Sequence, residues 1–264
     1  MNTPKPYVLS IAGFDPSAGA GILSDIKTIE ANGGYGFGVV SAITCQNDIV
    51  FEKVTWVPLN EIIEQIAVLQ KRFEIRYFKI GLIESLEVLY QLVTYIKQGV
   101  PGAVIIWDPI LKASAGFVFH QSIEKEMLRQ VFRSITCVTP NIPEAIQLFG
   151  SNNLVEILLS ESHQYAIYLK GGHADETNVT DILFVQKQKY SFTNPRISKG
   201  DKHGSGCVLS AAFITQLAMD KALLMAAGNA NQYTNRFLSS NETLLGYHSY
   251  NIQHETNKQI TVHN

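Results

Sequence analysis

The stretch Lys202-His203-Gly204-Ser205-Gly206-Cys207, running into Val208-Leu209-Ser210-Ala211-Ala212-Phe213, carries the residue types for work on an anion. Two glycines around a serine make a tight loop, and the run that follows is helix-forming. The first N–H groups of a helix have no partner within it, and the helix dipole adds partial positive charge there, so such a junction can cradle a phosphate. Cys207 falls in the first turn, where the same field favours a thiolate. On these residues alone, a glycine-capped core helix with a buried cysteine explains the stretch equally well.

Other residues could join such a site. Gly13 to Gly21 (GFDPSAGAG) is a glycine-rich loop that lets a ligand approach the backbone. It lacks both GxxxxGK[ST] and GxGxxG, which argues against a P-loop and against a dinucleotide site. Asp25, one turn into the next helix, can accept hydrogen bonds from a polar substrate or complement the helix N-terminus. Asn141-x-x-Glu144 matches a capping box, and its carboxylate could equally serve a magnesium ion that accompanies phosphates. Asp108 ends a very apolar run and needs a partner or a cation there. Lys170, before Gly171-Gly172, can meet a phosphate or end a strand in solvent; His173 and His203 read as loop histidines.

The elements that must position these groups alternate along the chain. Strands are expected at 7–12, 38–44, 77–82, 103–107, 135–139 and 165–169, with a more exposed hairpin at 179–185 and 190–192. Helical spacing follows most of them, with Ser85 as an N-cap, a helix after Ser122, a short one from Asn141, and two through about Leu238. This predicts an α/β fold: a mostly parallel sheet covered by helices on both faces, a three-layer α/β/α sandwich. Gly13–Gly21, Gln46, Leu82, Asp108, Asn141, Glu144 and Lys170 then all follow strand ends, the edge where parallel sheets bind ligands. One domain over residues 7–250 is expected, with a polar tail at 251–264.

Lys and Arg number 21 against 23 Asp and Glu, so no basic field points to nucleic acid. Cys45, Cys137 and Cys207 form neither a metal pattern nor a disulfide framework, which suits a reducing cytoplasm. The opening MNTPKP is too short and polar for a signal peptide, and no apolar run approaches the roughly 20 residues of a membrane span.

Taken in order, DPSAGAG with Asp25, Gln46-Asn47, Lys79-Ile80-Gly81-Leu82, Asp108-Pro109-Ile110, Thr139-Pro140-Asn141-Ile142-Pro143-Glu144-Ala145, Lys170-Gly171-Gly172-His173 and His203-Gly204-Ser205-Gly206-Cys207 resemble one family from about residue 7 to 240. It is the hydroxymethylpyrimidine and phosphomethylpyrimidine kinases of thiamine biosynthesis, in the ribokinase-like superfamily. The resemblance implies ATP-dependent phosphorylation of 4-amino-5-hydroxymethyl-2-methylpyrimidine and of its monophosphate. By motif, Gly13, Asp25, Gln46, Leu82 and Ile110 would bind the pyrimidine, and Asn141, Lys170, Gly172 and His203 would bind ATP. Asp108 and Glu144 would help hold Mg2+, with a monovalent cation left open. Cys207 would be the base, where many ribokinase-like sugar kinases carry Asp, and Gly204, Ser205 and Gly206 would complete the anion hole. The field at the helix N-terminus, helped by magnesium or Lys170, is expected to lower the proton affinity of Cys207. The resemblance also suggests a homodimer. The chain departs from the family at Ile110-Leu111-Lys112-Ala113-Ser114, where a lysine stands two positions early, and Lys112 is given no phosphate role. The rival readings are a pyridoxal kinase, a dual-specificity kinase and, more remotely, a non-catalytic ligand-binding protein on the same fold.

Overall fold

The computed structural model describes residues 4–111, 124–150, 153–174, 177–198 and 200–249. Lys112 and Ser114 of the departing stretch and the expected tail at 251–264 lie outside them.

Among the described residues, nine strands form one sheet: Tyr7–Phe14 (β1), Tyr35–Gln46 (β2), Phe51–Trp56 (β3), Tyr77–Ile80 (β4), Val104–Trp107 (β5), Cys137–Val138 (β6), Ala166–Ala174 (β7), Asn178–Val185 (β8) and Gln188–Pro195 (β9). Their order is β3-β2-β1-β4-β5-β6-β7-β8-β9. The run from β2 to β7 is parallel, as expected, and the flanking β3, β8 and β9 are antiparallel. The central strands are continuous apolar segments because helices cover both of their faces. The chain leaves β1 to one side for β2 and to the other for β4, so a switch point opens at the carboxyl ends of β1 and β4.

The helices are Gly21–Ala31 (α1), Leu59–Gln70 (α2), Leu86–Gly99 (α3), Lys125–Ser134 (α4), Ile142–Phe149 (α5), Leu154–Glu161 (α6), Ser205–Ala218 (α7) and Leu223–Leu238 (α8). One core lies under α2 to α6 and includes Ile66, Leu92, Val131 and Phe132. The other lies under α1, α7 and α8 and includes Ile29, Leu209, Phe213 and Tyr233. Helix α7 packs on β1, β4 and β5 and is flanked by α1 and α8. It is therefore buried nearly all round, which explains its lack of a polar face. That burial fixes its N-terminus over the switch point.

Three local features differ from the expectation. β3 was not foreseen, because an edge strand with exposed Glu52 and Lys53 carries little apolar signal. α6 was also missed. Lys170-Gly171-Gly172-His173 does not follow β7 but continues it through a register shift between Leu169 and His173, with Gly171 at φ +59°. The caps agree: Ser85 accepts from the Val88 N–H, and Asn141 with Glu144 forms a complete capping box.

Candidate active site

The site is built where two loops interlock. β1 ends at Gly13 and Phe14, and the chain then turns through Asp15 to Gly21. Gly21 has φ +59°, and a Cβ there would lie 2.2 Å from the Gly13 carbonyl oxygen. The second loop, Lys202 to Gly204, leads into α7. Gly204 has φ +75°, and a Cβ there would lie 2.1 Å from the Gly19 carbonyl oxygen. Only glycine allows both the left-handed backbone and this approach. Asp15, with no exposed surface, joins the loops: it accepts from the Ser17 and Ala20 N–H groups at 2.9 Å each and from His203 Nε2 at 2.8 Å. A carboxylate only accepts, so Nε2 carries the ring proton. Burial pushes the Asp15 carboxyl upward, but these donors outweigh it and hold it below its ordinary range.

Two cavities meet at the start of α7. The smaller, about 280 Å³, is walled by Gly13, Thr44, Gln46, Leu82, Ile110 and Cys207 on one side, and by Asp108, Asn141, Glu144 and Lys170 on the other. The larger, about 410 Å³, lies between β8, β9 and α8, with Val179, Pro195, Ile197, Leu209 and Leu238 offering apolar surface and Asn194, Asn231 and Asn235 adding amides, of which Asn194 donates to Asn231 and Asn231 to Asp181. Both are lined by Lys170, Lys202, His203, Ser205 and Gly206.

Charges are arranged beneath this junction. Lys170 Nζ donates to Asp108 Oδ1 at 2.7 Å and stands 3.9 Å from Glu144. Asp108 also accepts from Thr139 at 3.1 Å and Ser210 at 3.2 Å. Burial raises the Asp108 carboxyl, yet the Lys170 and Lys79 charges more than offset this and keep it ionised. For Glu144 burial wins over Lys170, and its carboxyl is raised. Lys79, wholly buried, donates to Asp25 at 2.7 Å; burial opposes its charge, but Asp25 holds it above the ordinary lysine value. A Cβ on Gly81 would sit 2.7 Å from Lys79 Nζ, so glycine makes room for the ammonium at the end of β4.

Cys207 departs from the expectation. Its thiol is 5 % exposed, and burial pushes it up to about 11, against the pull of Lys79 and a hydrogen bond from the Gly21 N–H. Desolvation, with Asp25 and Asp108 nearby, outweighs the helix field.

Of the residues singled out, Gly13, Gln46, Leu82, Ile110, Asp108, Asn141, Glu144, Lys170, His203, Gly204, Ser205, Gly206 and Cys207 come together at the cavities. Asn141 and Glu144 face the smaller one. Gly172 lies in β7, two residues after Lys170. Asp25 does not stand on the wall: it is buried behind it, accepting from Ser10 at 2.6 Å and from Lys79, with Oδ1 buried and unpartnered. Sequence reasoning gave no role to Asp15 or Lys79. The signal for Lys79 was available, since a lysine inside the apolar strand YFKI is exceptional.

A parallel sheet with its switch point under a helix N-terminus, shared by two cavities, is the architecture of the ribokinase-like kinases. The fold matches the pyridoxal kinase of Staphylococcus aureus, solved with ADP, at a TM-score of 0.79 and 22 % identity over 96 % of each chain, a likeness of fold alone. A phosphomethylpyrimidine kinase from Clostridium difficile matches at 0.73 and 28 % identity, covering 88 % of this chain and 99 % of that one. The chain belongs to the phosphomethylpyrimidine kinase family, whose profile matches residues 15–253. Among its relatives, the hydroxymethylpyrimidine/phosphomethylpyrimidine kinase of Aquifex aeolicus is 30 % identical over 247 residues, 89 % of this chain and 95 % of that protein.

Proposed function

We propose that the protein transfers the γ-phosphoryl group of ATP to the hydroxymethyl group of 4-amino-5-hydroxymethyl-2-methylpyrimidine, and then to the resulting monophosphate, for thiamine biosynthesis. The observation that carries this reading is the meeting of two cavities at Ser205 and Gly206, with Cys207 on the wall of the smaller one. The smaller cavity suits the pyrimidine: Leu82 and Ile110 supply apolar faces, and the Gln46 amide offers a donor and an acceptor to an aminopyrimidine edge. The larger cavity, with apolar walls and three amides, suits a nucleoside.

The hydroxyl oxygen attacks the γ-phosphorus, the bond to the β-phosphate bridging oxygen breaks, and the hydroxyl proton passes to Cys207 in its thiolate form, the form that alkaline pH favours. The N–H groups of the first turn of α7 and the Lys170 ammonium face the charge on the transferring group. Magnesium fits this setting as an ion carried by phosphates. Among the described residues no three His, Cys, Asp or Glu side chains converge on one point, so Asp108 and Glu144 would share the ion with phosphate oxygens, and it would neutralise their charge. The exposed Ile43, Ile49 and Val50 of the β2–β3 hairpin support this hairpin as the face on which two copies pair.

Replacing the base tests the mechanism. Cys207→Ala and Cys207→Ser should lower kcat by roughly 10²–10⁴ with little change in either KM. Wild-type turnover in both variants would remove Cys207 from the reaction.

A further inference from the structure

The Asp15–His203 contact reaches further than loop packing. Asp15 Oδ2 accepts both from Ala20 N–H and from His203 Nε2. Each of these donors stands just before a glycine that matters. Ala20 precedes Gly21, whose N–H meets the Cys207 sulfur. His203 precedes Gly204, which leaves no room for a Cβ against Gly19 and Ala20 and which opens the turn carrying Ser205 to Cys207. One oxygen therefore holds both chain segments whose spacing sets the Gly21–Cys207 contact. The His203 ring is also fixed by shape, because a Cβ on Gly19 would lie 2.6 Å from its Cδ2.

We infer that Asp15 is a positioning residue for phosphoryl transfer: through His203 and Ala20 it registers the Gly13–Gly21 loop against the Gly204–Cys207 turn, and so sets Cys207 between the two substrates. Asp15 lines neither cavity among the described residues, and its carboxylate is saturated by Ser17, Ala20 and His203. It acts through those partners, of which Ala20 and His203 reach the cavities, while the pyrimidine-facing Gln46, Leu82 and Ile110 stand on other elements. The inference deepens the proposed kinase reading and rests on it for its kinetic consequence.

A register error of the order of 1 Å between reacting groups costs about 10²-fold in rate. Asp15→Ala should therefore lose about 10- to 100-fold in kcat, with KM for the pyrimidine alcohol within about 3-fold of wild type. Asp15→Asn keeps one oxygen, which can still accept from Ala20 and His203, and should recover a substantial part of the loss. Hydrogen exchange of the intact protein supplies a readout independent of turnover: in Asp15→Ala, residues 15–21 and 203–207 should lose protection together, with β4 and β5 unchanged. Unchanged kcat, a loss confined to KM, no rescue by Asn, or loss of protection in only one of the two loops would each overturn the inference. A wild-type protein with no phosphoryl transfer to the pyrimidine alcohol would refute the kinase reading instead, and the exchange result would then decide the registration of the loops by itself.

Discussion

Gly204→Ala is the substitution whose effect can be worked most directly from geometry. The new methyl would lie 2.1 Å from the Gly19 carbonyl oxygen and 2.7 Å from Ala20 Cα, both backbone atoms, whereas real Cβ contacts are essentially never under 3.0 Å. The loops must part by at least 3.0 − 2.1 = 0.9 Å along the first contact. The φ of +75° adds the left-handed cost of about 1–2 kcal/mol for an alanine. A displacement near 1 Å at the proposed anion hole predicts a loss of about 10²-fold in kcat, and the strain predicts a lower melting temperature. Steady-state kinetics with the pyrimidine alcohol and ATP, beside a thermal melt, measure both. Gly99→Ala is the control: it lies at the end of α3, a Cβ there meets nothing within 4 Å, and its kinetics should be unchanged. If Gly204→Ala turned over within about 3-fold of wild type, the interlocked loops would not be what holds the site.

Other consequences follow from the buried charges. Lys79→Met should destabilise the protein by about 3–5 kcal/mol by stranding Asp25, and a Lys79→Met/Asp25→Leu pair should recover most of it, as read by chemical denaturation. Asp15 and Asp108 are both held below their ordinary values. They contribute stability that is present above the unfolded carboxylate value of about 4 and is lost as pH falls through the folded values; melting curves taken downward from neutral pH should show it, and Asp108→Asn should flatten the acid limb. With the Cys207 thiol near 11, kcat/KM should climb with pH from neutral well into the alkaline range, and Cys207→Ser should abolish that climb; a plateau from pH 7 upward would count against a buried thiol base.

Much of this architecture is legible in the sequence. Apolar runs such as Ala103–Trp107 announce strands covered on both faces, and their alternation with helical spacing leaves few folds available. The polar groups at strand ends then share one edge of the sheet. What could not be read was pairwise geometry. Asp25 stands one turn into a helix, as a substrate ligand would, but its partner Lys79 lies 54 residues away on β4. Asp15 was visible only as part of a turn, because His203, 188 residues later, gives it its purpose. The proton affinity of Cys207 was misjudged for the same reason: the helix start is local and readable, while desolvation depends on every element packed around α7. β3 shows a weak pattern because it is exposed, and α6 (LVEILLSE) is an eight-residue run whose apolar residues fall on most faces and give little helical spacing.

Transfer of a phosphoryl group to a pyrimidine alcohol across the start of α7 underlies the kinetic predictions. It is tested most directly by following ATP consumption and phosphorylated product with the wild-type protein on the pyrimidine alcohol, its monophosphate and pyridoxal, side by side. Phosphorylation of both pyrimidine species, with kcat/KM for the alcohol about 10-fold or more above that for pyridoxal, is the expected result. Preference for pyridoxal, or no transfer to any of the three, would contradict it.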